Sequence, residues 1–540
     1  MRQKLEQRYR LQLVFLVLIG CTVDQGSAQE HVVVVDSQSA TGSTSLFESD
    51  AEHAAAVSAG RGGGDEDLPP VARLFETVPD MLTRPAPGIA DFFSGVIGAE
   101  HDEVHSALSD ESIGIQPVPE RPPLLVELNE AFLGTGPLAE GIELPTGAIW
   151  RPALWVFGDL RSGVQYADST SPVAEWANRL DLFGQLNLTG TERVLVGMRP
   201  FDEETTSGRT FNTQDFRASS IDGWNADVQT LFFEGDFGEL FPDLDPEDIG
   251  GNDIGFSVGR MPLSAQQGLL IAEDRIDAFT VTRNSVVTED NLNLRMSGIY
   301  AWDQLHRNSA RVAGNQLDNS SQLVAFLTES DFREATVNLD VAYVHSQDEA
   351  IGDVIAFGVS AIQRHNLLHN TYNTSLHFLA SYPTTAPTDY ADQGELLFSR
   401  ISWTPHHTED LIYLNSFWAI DQFTSPTRGP LAGGALGQTG VLFSAPGLGR
   451  IGAPIGIRTD NRAGTSLGYQ MFFDHTKQQV IFEIGGQKET KGDSDGAIGS
   501  AVRYQSAMNQ HVVVIWDAFV VKPEHRNAVP GARFEILVRF

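Results

Sequence analysis

The chain is 540 residues long, and its 41% hydrophobic and 20% charged residues exclude a bundle of transmembrane helices and a wholly disordered polypeptide. Its 36 basic and 71 acidic residues give a formal net charge of −35, which argues against nucleic acid as the main partner, because phosphate binding requires clustered lysine and arginine. The only cysteine is Cys21, which excludes an intrachain disulfide.

Residues 1–28 predict a secretory signal peptide. Four basic residues among the first ten precede a short apolar run at residues 11–19, and small residues follow at 26–28. The run is shorter than the roughly 20 apolar residues that a spanning helix needs. Because "LIGC" ends at Cys21 and resembles a bacterial lipoprotein box, Cys21 is also a candidate lipidation site. Either interpretation takes the chain out of the cytoplasm.

Residues 29–145 predict an acidic and partly disordered extension. Residues 30–70 contain eight acidic residues and one arginine, together with the low-complexity stretch "GRGGGDED". Further on, "PVPERPP" at residues 117–123 is typical of a stiff linker. The role of this extension stays open, and a periplasmic or cell-wall-facing segment is one interpretation.

From residue 146 to residue 540 the sequence predicts strands. In "ATVNLDVAYV", for example, Val337, Leu339 and Val341 alternate with Asn338 and Asp340, which is the two-residue period of a strand with different surroundings on its two faces. Roughly 16 to 18 such segments recur, each about 9 to 13 residues long, which is the length that a tilted membrane strand needs. Gly, Asp, Asn, Pro and Ser separate them.

The polar faces of these segments favour lipid over a protein core on the apolar side. They carry full charges and amides, which would be costly inside a narrow soluble barrel but can line the water of a wide one. Aromatic residues such as Trp150, Trp302 and Trp403 lie near segment ends, as in the interfacial girdles of membrane proteins. The alternative is a secreted or surface-attached β-rich binding or structural protein, because soluble sheets alternate as well.

The last segment, "GARFEILVRF", places Phe534, Ile536, Val538 and Phe540 on one face. An amphipathic strand whose last residue is Phe540 resembles the C-terminal signal of bacterial outer-membrane barrels, which the barrel-assembly machinery reads. We therefore expect the final strand to close a barrel against the first one, since no backbone edge can stay unpaired in lipid.

Residues 259–283, "GRMPLSAQQGLLIAEDRIDAFTVTR", and the C-terminal strand resemble bacterial porins of the carbohydrate-selective family. The resemblance covers about residues 148–540 and implies an all-β transmembrane antiparallel barrel of 16 strands in the bacterial outer membrane; the segment count also permits 18. It implies passive diffusion of small hydrophilic solutes, with carbohydrates as candidates. Outer-membrane lipids, the assembly machinery and these solutes would be the partners, and a homotrimer is left open.

If the apolar faces meet lipid, the opposite faces line the pore, where opposed charges can set selectivity. These charges could equally pair with one another or only keep the lumen wet. The longest connection, residues 425–461, is a candidate constriction loop. The pore-lining candidates, assigned by strand parity, are Asp181, Arg193, Arg199, Arg295, Asp340, Glu483, Arg503, Arg533 and Glu535.

No motif predicts a catalytic site, a metal site or a cofactor. "GTSLG" at residues 464–468 matches a nucleophile elbow, but that motif needs a helix after it, whereas "YQMFFD" predicts a strand. The acidic loop at residues 241–253 lacks the ligand spacing of a calcium hand and predicts a solvated turn.

Overall fold

The computed structural model describes residues 124–134, 140–168, 172–201, 207–211, 218–221, 223–244, 253–288, 291–311, 315–367, 370–406, 408–433, 436, 440–456, 458–474, 476–492 and 496–540. The predicted signal peptide, Cys21 and most of the predicted extension lie outside these residues. Among the described residues, no helix is long and apolar enough to cross a bilayer.

Eighteen antiparallel strands form a closed ring, in which each strand pairs with the next one along the chain and β18 pairs with β1. The fold class is therefore the predicted all-β barrel. The strands are β1 Ala153–Ala167, β2 Val173–Asn187, β3 Arg193–Phe201, β4 Val228–Asp236, β5 Ile254–Ala265, β6 Ile271–Val286, β7 Asn293–Asp303, β8 Gln322–Asp331, β9 Thr336–His345, β10 Val354–Leu367, β11 Asn370–Pro383, β12 Gly394–Thr404, β13 Leu411–Asp421, β14 Arg462–Phe473, β15 Gln478–Glu489, β16 Gly496–Ala507, β17 Val512–Pro523 and β18 Val529–Arg539.

The count of 18 corrects the 16 strands that the resemblance implies. The number of strands cannot be read from the apolar and polar alternation where a connection is too short to interrupt the pattern. Strands β10 and β11, for instance, are separated only by residues 368–369. In addition, short hairpins outside the ring, such as Leu305–Asn308 with Asn315–Asp318, carry strand geometry without adding to the barrel.

Strand β18 shows how the two-residue period places side chains. Arg533, Glu535 and Leu537 are buried on its inner face, whereas Ile536 on the outer face is exposed. Beyond the strand, the backbone of Phe540 exchanges two hydrogen bonds with Gly158 of β1, with N···O distances of 3.0 and 2.8 Å. The expectation that the last strand closes the barrel against the first is confirmed.

The connections alternate between two rims. One rim has long connections, including residues 422–461, and we call it the long-loop rim. The other, the short-turn rim, has tight turns such as residues 332–335, 474–477 and 508–511; its exception is the connection from β4 to β5, which holds the short helix Phe237–Leu240 (α1). Outer-membrane barrels have the same asymmetry, with short periplasmic turns and longer external loops.

Two connections of the long-loop rim fold into the barrel. Leu269 and Leu270, between β5 and β6, are 0% exposed, and so are Phe423 and Leu431 between β13 and β14. They join buried side chains of the facing strands in one hydrophobic cluster, drawn chiefly from β5 to β13. This apolar sector fills one side of the lumen and leaves the other side to polar residues.

A short strand before the barrel, Val126–Leu128, pairs with Leu154–Val156 of β1. The pairing of β1 with β18 ends at Asp159, and Gly158 binds the backbone of Phe540. Residues 154–156 of β1 come before these two positions and have no partner on β18. The indole Nε1 of Trp155 donates to the carbonyl of Glu130 at 2.7 Å. The segment around residues 126–130 therefore covers the edge of β1 that the end of the chain leaves open.

Candidate pore constriction

The polar side of the lumen carries charges on β1–β3, on β15–β18 and on the connection at residues 422–461. On β1 and β2, Arg161, Gln165 and Arg179 are each at most 2% exposed, and on β18 Glu535 is 0% exposed. We call the following set the constriction cluster: Arg161, Arg179, Arg199, Arg450, Arg503, Arg533, Asp159, Glu175, Asp181, Glu483, Asp517 and Glu535.

One chain of ion pairs in this cluster runs across β16, β17, β18 and β1. Arg503 Nε lies 2.7 Å from Asp517 Oδ1, and Arg533 Nη2 lies 2.8 Å from Asp517 Oδ2. Arg533 Nη1 is 3.0 Å from Glu535 Oε2, and Arg161 Nε is 2.6 Å from Glu535 Oε1. Charges alternate along the chain, so each carboxylate is shared by two arginines.

A second group of ion pairs joins β2 to β3. Asp181 accepts from Arg179 Nε at 2.9 Å and from Arg199 Nε at 2.7 Å. All three side chains are at most 4% exposed. A buried charge is stable only when it is paired, and here one carboxylate compensates two guanidinium groups.

The constriction loop, residues 422–461, is bound to the cluster through its backbone. Arg161 Nη2 donates to the carbonyl of Pro446 at 2.8 Å, and Arg179 Nη1 donates to the carbonyl of Gly447 at 2.7 Å. On β15, the Glu483 carboxylate accepts the backbone N–H groups of Val441 and Leu442. The cluster thus holds residues 441–447 against the polar wall.

The same loop is fixed on the opposite wall. Arg428 Nε donates to Asp274 Oδ1 of β6 at 2.9 Å, and Thr427 forms a bridge with Ile271. His306, from the connection after β7, also binds Asp274, with Nδ1 at 2.8 Å. Strands β6 and β15 are nine places apart in a ring of 18, so they face each other. The loop therefore crosses the lumen.

A small, partly open pocket lies between the constriction loop and strands β1 and β16–β18. Gln165, Arg503 and Arg533 give it polar groups, while Phe519 and Ile451 give it apolar ones. Gln165 Nε2 donates to Glu175 and to the carbonyl of Leu448, but its buried Oε1 has no hydrogen-bond partner. The amide of Gln165 is therefore part of the packed polar wall beside the paired arginines.

Six of the nine candidates come together in the constriction cluster: Asp181, Arg199, Glu483, Arg503, Arg533 and Glu535. Asp340 lies apart on β9, where it accepts from Gln266 and from the backbone of Thr328, both at 2.9 Å. Arg193 pairs with Glu234, and Arg295 lies opposite Glu329 near the short-turn rim. Their role in lining a pore stays a prediction.

Parity also points to cluster members that the candidate set lacks. Arg179 lies two residues before Asp181, and Arg161 two residues after Asp159, so each shares the inner face of its strand. Charged pairs at i, i+2 on one strand are therefore the sequence signal that indicates both residues. By contrast, no local pattern links Asp274 to Arg428, because these residues meet only through the path of the loop.

The "GTSLG" motif lies inside β14, which runs unbroken from Arg462 to Phe473. The predicted strand after the motif is confirmed, and Ser466 is 0% exposed within it. Among the described residues, no group of three or more His, Cys, Asp or Glu side chains is placed to hold a metal ion.

A scan against models of protein families finds no match for this chain, and a search of curated proteins finds none either. Among solved structures, OccAB3 of Acinetobacter baumannii matches with 10% identity and a TM-score of 0.50, over 72% of this chain and 99% of that chain. OccK5 (OpdH) of Pseudomonas aeruginosa matches with 9% identity and a TM-score of 0.50, over 72% of this chain and 98% of that chain.

A BenF-like porin from Pseudomonas fluorescens Pf-5 matches with 10% identity and a TM-score of 0.49, over 72% of this chain and 98% of that chain. The comparison of folds rests on the two structures at 0.50. The likeness concerns the fold alone: these structures share the closed β-barrel of this chain.

Proposed function

We propose that this protein is an outer-membrane porin that lets small hydrophilic solutes, with carbohydrates as candidates, diffuse passively through its barrel. One observation carries the proposal: a closed ring of strands is apolar outside and charged inside, and a loop narrows its interior. Closure matters because an open sheet edge cannot be satisfied in lipid. No chemistry or cofactor enters this function.

The outer face supports the membrane rather than the alternative of a secreted β-rich protein. Val324, Leu339, Trp418 and Ile484 are 49% to 60% exposed on strands whose inner faces are buried. Such side chains recur around the ring, whereas soluble monomers rarely expose apolar patches beyond a few hundred Å². A lipid surround removes this cost, and alternate strand positions then meet lipid and lumen.

The proposal includes a route to the membrane. Residues 1–28 would act as the signal peptide, with Cys21 as the candidate lipidation site, and residues 29–145 would form an extension ahead of the barrel at 146–540. The barrel-assembly machinery would read the strand that ends at Phe540. The barrel begins and ends at the short-turn rim, which supports a periplasmic position for that rim. A homotrimer is a further expectation.

Solutes would pass on the polar side of the lumen, beside the segment of the constriction loop that is bound to the charged wall. The opposite sector is filled by the hydrophobic cluster, so the polar side is the wetter route. Selectivity in such pores follows from the width and the hydrogen-bonding groups of the narrowest part. Asp181, Arg199, Glu483, Arg503 and Glu535 would act there as lining or loop-anchoring groups, and Arg193, Arg295 and Asp340 elsewhere along the lumen.

Swelling of proteoliposomes tests this function. The chain, purified from membranes in detergent, is placed in vesicles that are then diluted into isotonic solutions of uncharged solutes of graded size. We expect swelling rates that fall steeply with solute size, because passage is passive and sieved. Empty liposomes are the control. Swelling no faster than in this control for every solute would contradict the proposal.

A further inference from the structure

We infer that the arginines of the constriction cluster act as structural cations whose charge is balanced by the carboxylates of the same cluster. The pore then does not favour anions over cations or uncharged solutes. This inference rests on the proposed function and deepens it. An arginine-rich wall would ordinarily attract anions. From the contacts and burial of these arginines we expect that this wall does not attract anions.

The first observation is that the guanidinium groups are committed to partners within the protein. Arg161 binds Glu535 with Nε at 2.6 Å and Nη2 at 3.1 Å, and its Nη1 and Nη2 also donate to the carbonyls of Gly447 and Pro446. Arg533 contacts both Asp517 and Glu535. A guanidinium group that already donates two hydrogen bonds to a carboxylate cannot bind a solute carboxylate in the same way.

The second observation is the charge balance of the cluster. It contains six arginines and six carboxylates, so its formal charge is 6 − 6 = 0. Ion pairs at 2.6 to 3.0 Å alternate in sign along β1, β18, β17 and β16, where three arginines enclose two carboxylates, and two more arginines flank Asp181. Asp159, Glu175 and Glu483 supply the remaining negative charges of the cluster, and Arg450 supplies the remaining positive one. Opposite charges this close leave little potential a few ångströms away.

The third observation is burial. Arg161, Arg179, Arg199 and Arg533 are each at most 5% exposed, and the side chain of Arg503 is 20% exposed. Arg450, on the constriction loop, is the most exposed arginine of the cluster at 40%, and it lies beside Glu175, which also accepts its backbone N–H. The wall therefore gives no preference to anions.

The arrangement makes Glu535 a specificity-determining residue. Its carboxylate compensates Arg161 and Arg533 together, with both contacts at 3.0 Å or less. Replacing it with glutamine keeps the size and an acceptor but raises the formal charge of the cluster by one. In a narrow site with reduced dielectric screening, one uncompensated guanidinium attracts anions.

The experiment measures reversal potentials in planar bilayers across a KCl gradient, for the full chain and its variants. For the wild type we expect a chloride-to-potassium permeability ratio between about 0.3 and 3, because the cluster is neutral. Glu535→Gln should raise this ratio at least about threefold. Arg161→Gln combined with Glu535→Gln removes one charge of each sign and should return the ratio to the wild-type range.

Glu524→Gln is the matched control, because Glu524 pairs with Lys488 on an exposed connection outside the cluster, and it should leave the ratio unchanged. If Glu535→Gln does not assemble, Glu175→Gln makes the same change of charge next to Gln165. A wild-type ratio outside the range of about 0.3 to 3, or no change in either glutamine variant, overturns the inference while conduction still supports a porin. Absence of any conductance instead overturns the proposed function itself.

Discussion

Arg161 on the first strand of the barrel binds Glu535 on the last, with Nε at 2.6 Å from Oε1 and Nη2 at 3.1 Å from Oε2. The side chains are 3% and 0% exposed, so the pair is buried at the seam where the ring closes. The same guanidinium also donates to the carbonyls of Pro446 and Gly447. One side chain therefore contributes both to the closure of the barrel and to the position of the constriction loop.

Substitution Arg161→Met should destabilise the barrel by about 3 to 5 kcal/mol, because it leaves the loop carbonyls and a buried carboxylate with fewer donors. The measurement is the free energy of unfolding from urea titration in detergent, followed by tryptophan fluorescence. Lys488→Ala is the control: its pair with Glu524 is exposed, and its loss should cost no more than about 1 kcal/mol. Equal effects of the two substitutions would contradict this view of the seam.

Substitution Glu483→Ala should release the constriction loop from β15. The carboxylate accepts the backbone N–H groups of Val441 and Leu442 at 2.6 and 2.8 Å, and alanine leaves both donors without that partner. We expect a larger and noisier single-channel conductance than in the wild type. Glu524→Ala on the exposed connection should keep the wild-type conductance. A Glu483→Ala channel with unchanged conductance and noise would show that the loop holds its place without this anchor.

Substitution Arg428→Ala should free the other end of the loop. Asp274 is 0% exposed, and it would lose this guanidinium while keeping its hydrogen bond with His306. We expect faster proteolysis within residues 422–461 by a protease added to intact proteoliposomes. Arg311→Ala, at an exposed pair with Asp389, is the matched control and should leave the cleavage rate as it is. Equal cleavage rates in the two variants would argue against an anchoring role for Arg428.

The long-loop rim should loosen in acid through Asp318 and Asp353. Burial works to raise the pKa of both carboxyl groups, but hydrogen bonds outweigh burial and hold each pKa below its usual range. The bonds come from Ser320, Ser321 and Ser346 to Asp318, and from His345, Ser346 and Tyr343 to Asp353.

Because the folded pKa is lowered, the stabilisation is complete above the ordinary carboxyl pKa of about 4 and is lost as the pH falls through the folded value. Hydrogen exchange of residues 315–321 and 346–353 should therefore be unaffected by carboxyl titration from pH 7 to pH 5. It should show added opening below about pH 4. In Asp353→Asn the acid-dependent step should shrink. An opening step centred near pH 6 would rule out these carboxylates as its origin.

The C-terminal residue gives a test of assembly. Phe540 pairs with Gly158 through its backbone, so Phe540→Ala keeps both hydrogen bonds and removes the ring that the assembly machinery is proposed to read. We expect less folded barrel in the outer membrane but similar stability of the molecules that do assemble. Quantitative heat-modifiability gels of membrane fractions give the yield. Wild-type yield for the alanine variant would remove Phe540 as a signal.

The barrel itself could be predicted because successive residues of a strand point to opposite faces, so the local sequence indicates which face is apolar. The inner positions of Arg533 and Glu535 and the outer position of Ile536 follow from parity alone. Closure could also be predicted, since an amphipathic terminal strand needs a partner and the first strand is available. The number of strands could not, because the two-residue connection between β10 and β11 leaves the alternation almost unbroken.

For the site, the sequence predicts which side chains of a strand point inward, but it does not predict which of them meet. Asp181 and Arg199 each point inward by parity, but their contact requires β2 and β3 to be in register. The path of the constriction loop is set by contacts far apart in sequence, such as Asp274 with Arg428 and Glu483 with Val441. Nothing near Arg428 in the sequence indicates the wall to which it binds.

Single-channel recording in planar bilayers, with and without added sugars, tests the central claim most directly. We predict stable ohmic conductance steps, which would establish a water-filled pore across the bilayer, and partial block by sugars would add a sugar site to it. A chain that stays monomeric and soluble without detergent, and that gives no steps at any voltage, would contradict the porin and return the alternating strands to a soluble protein.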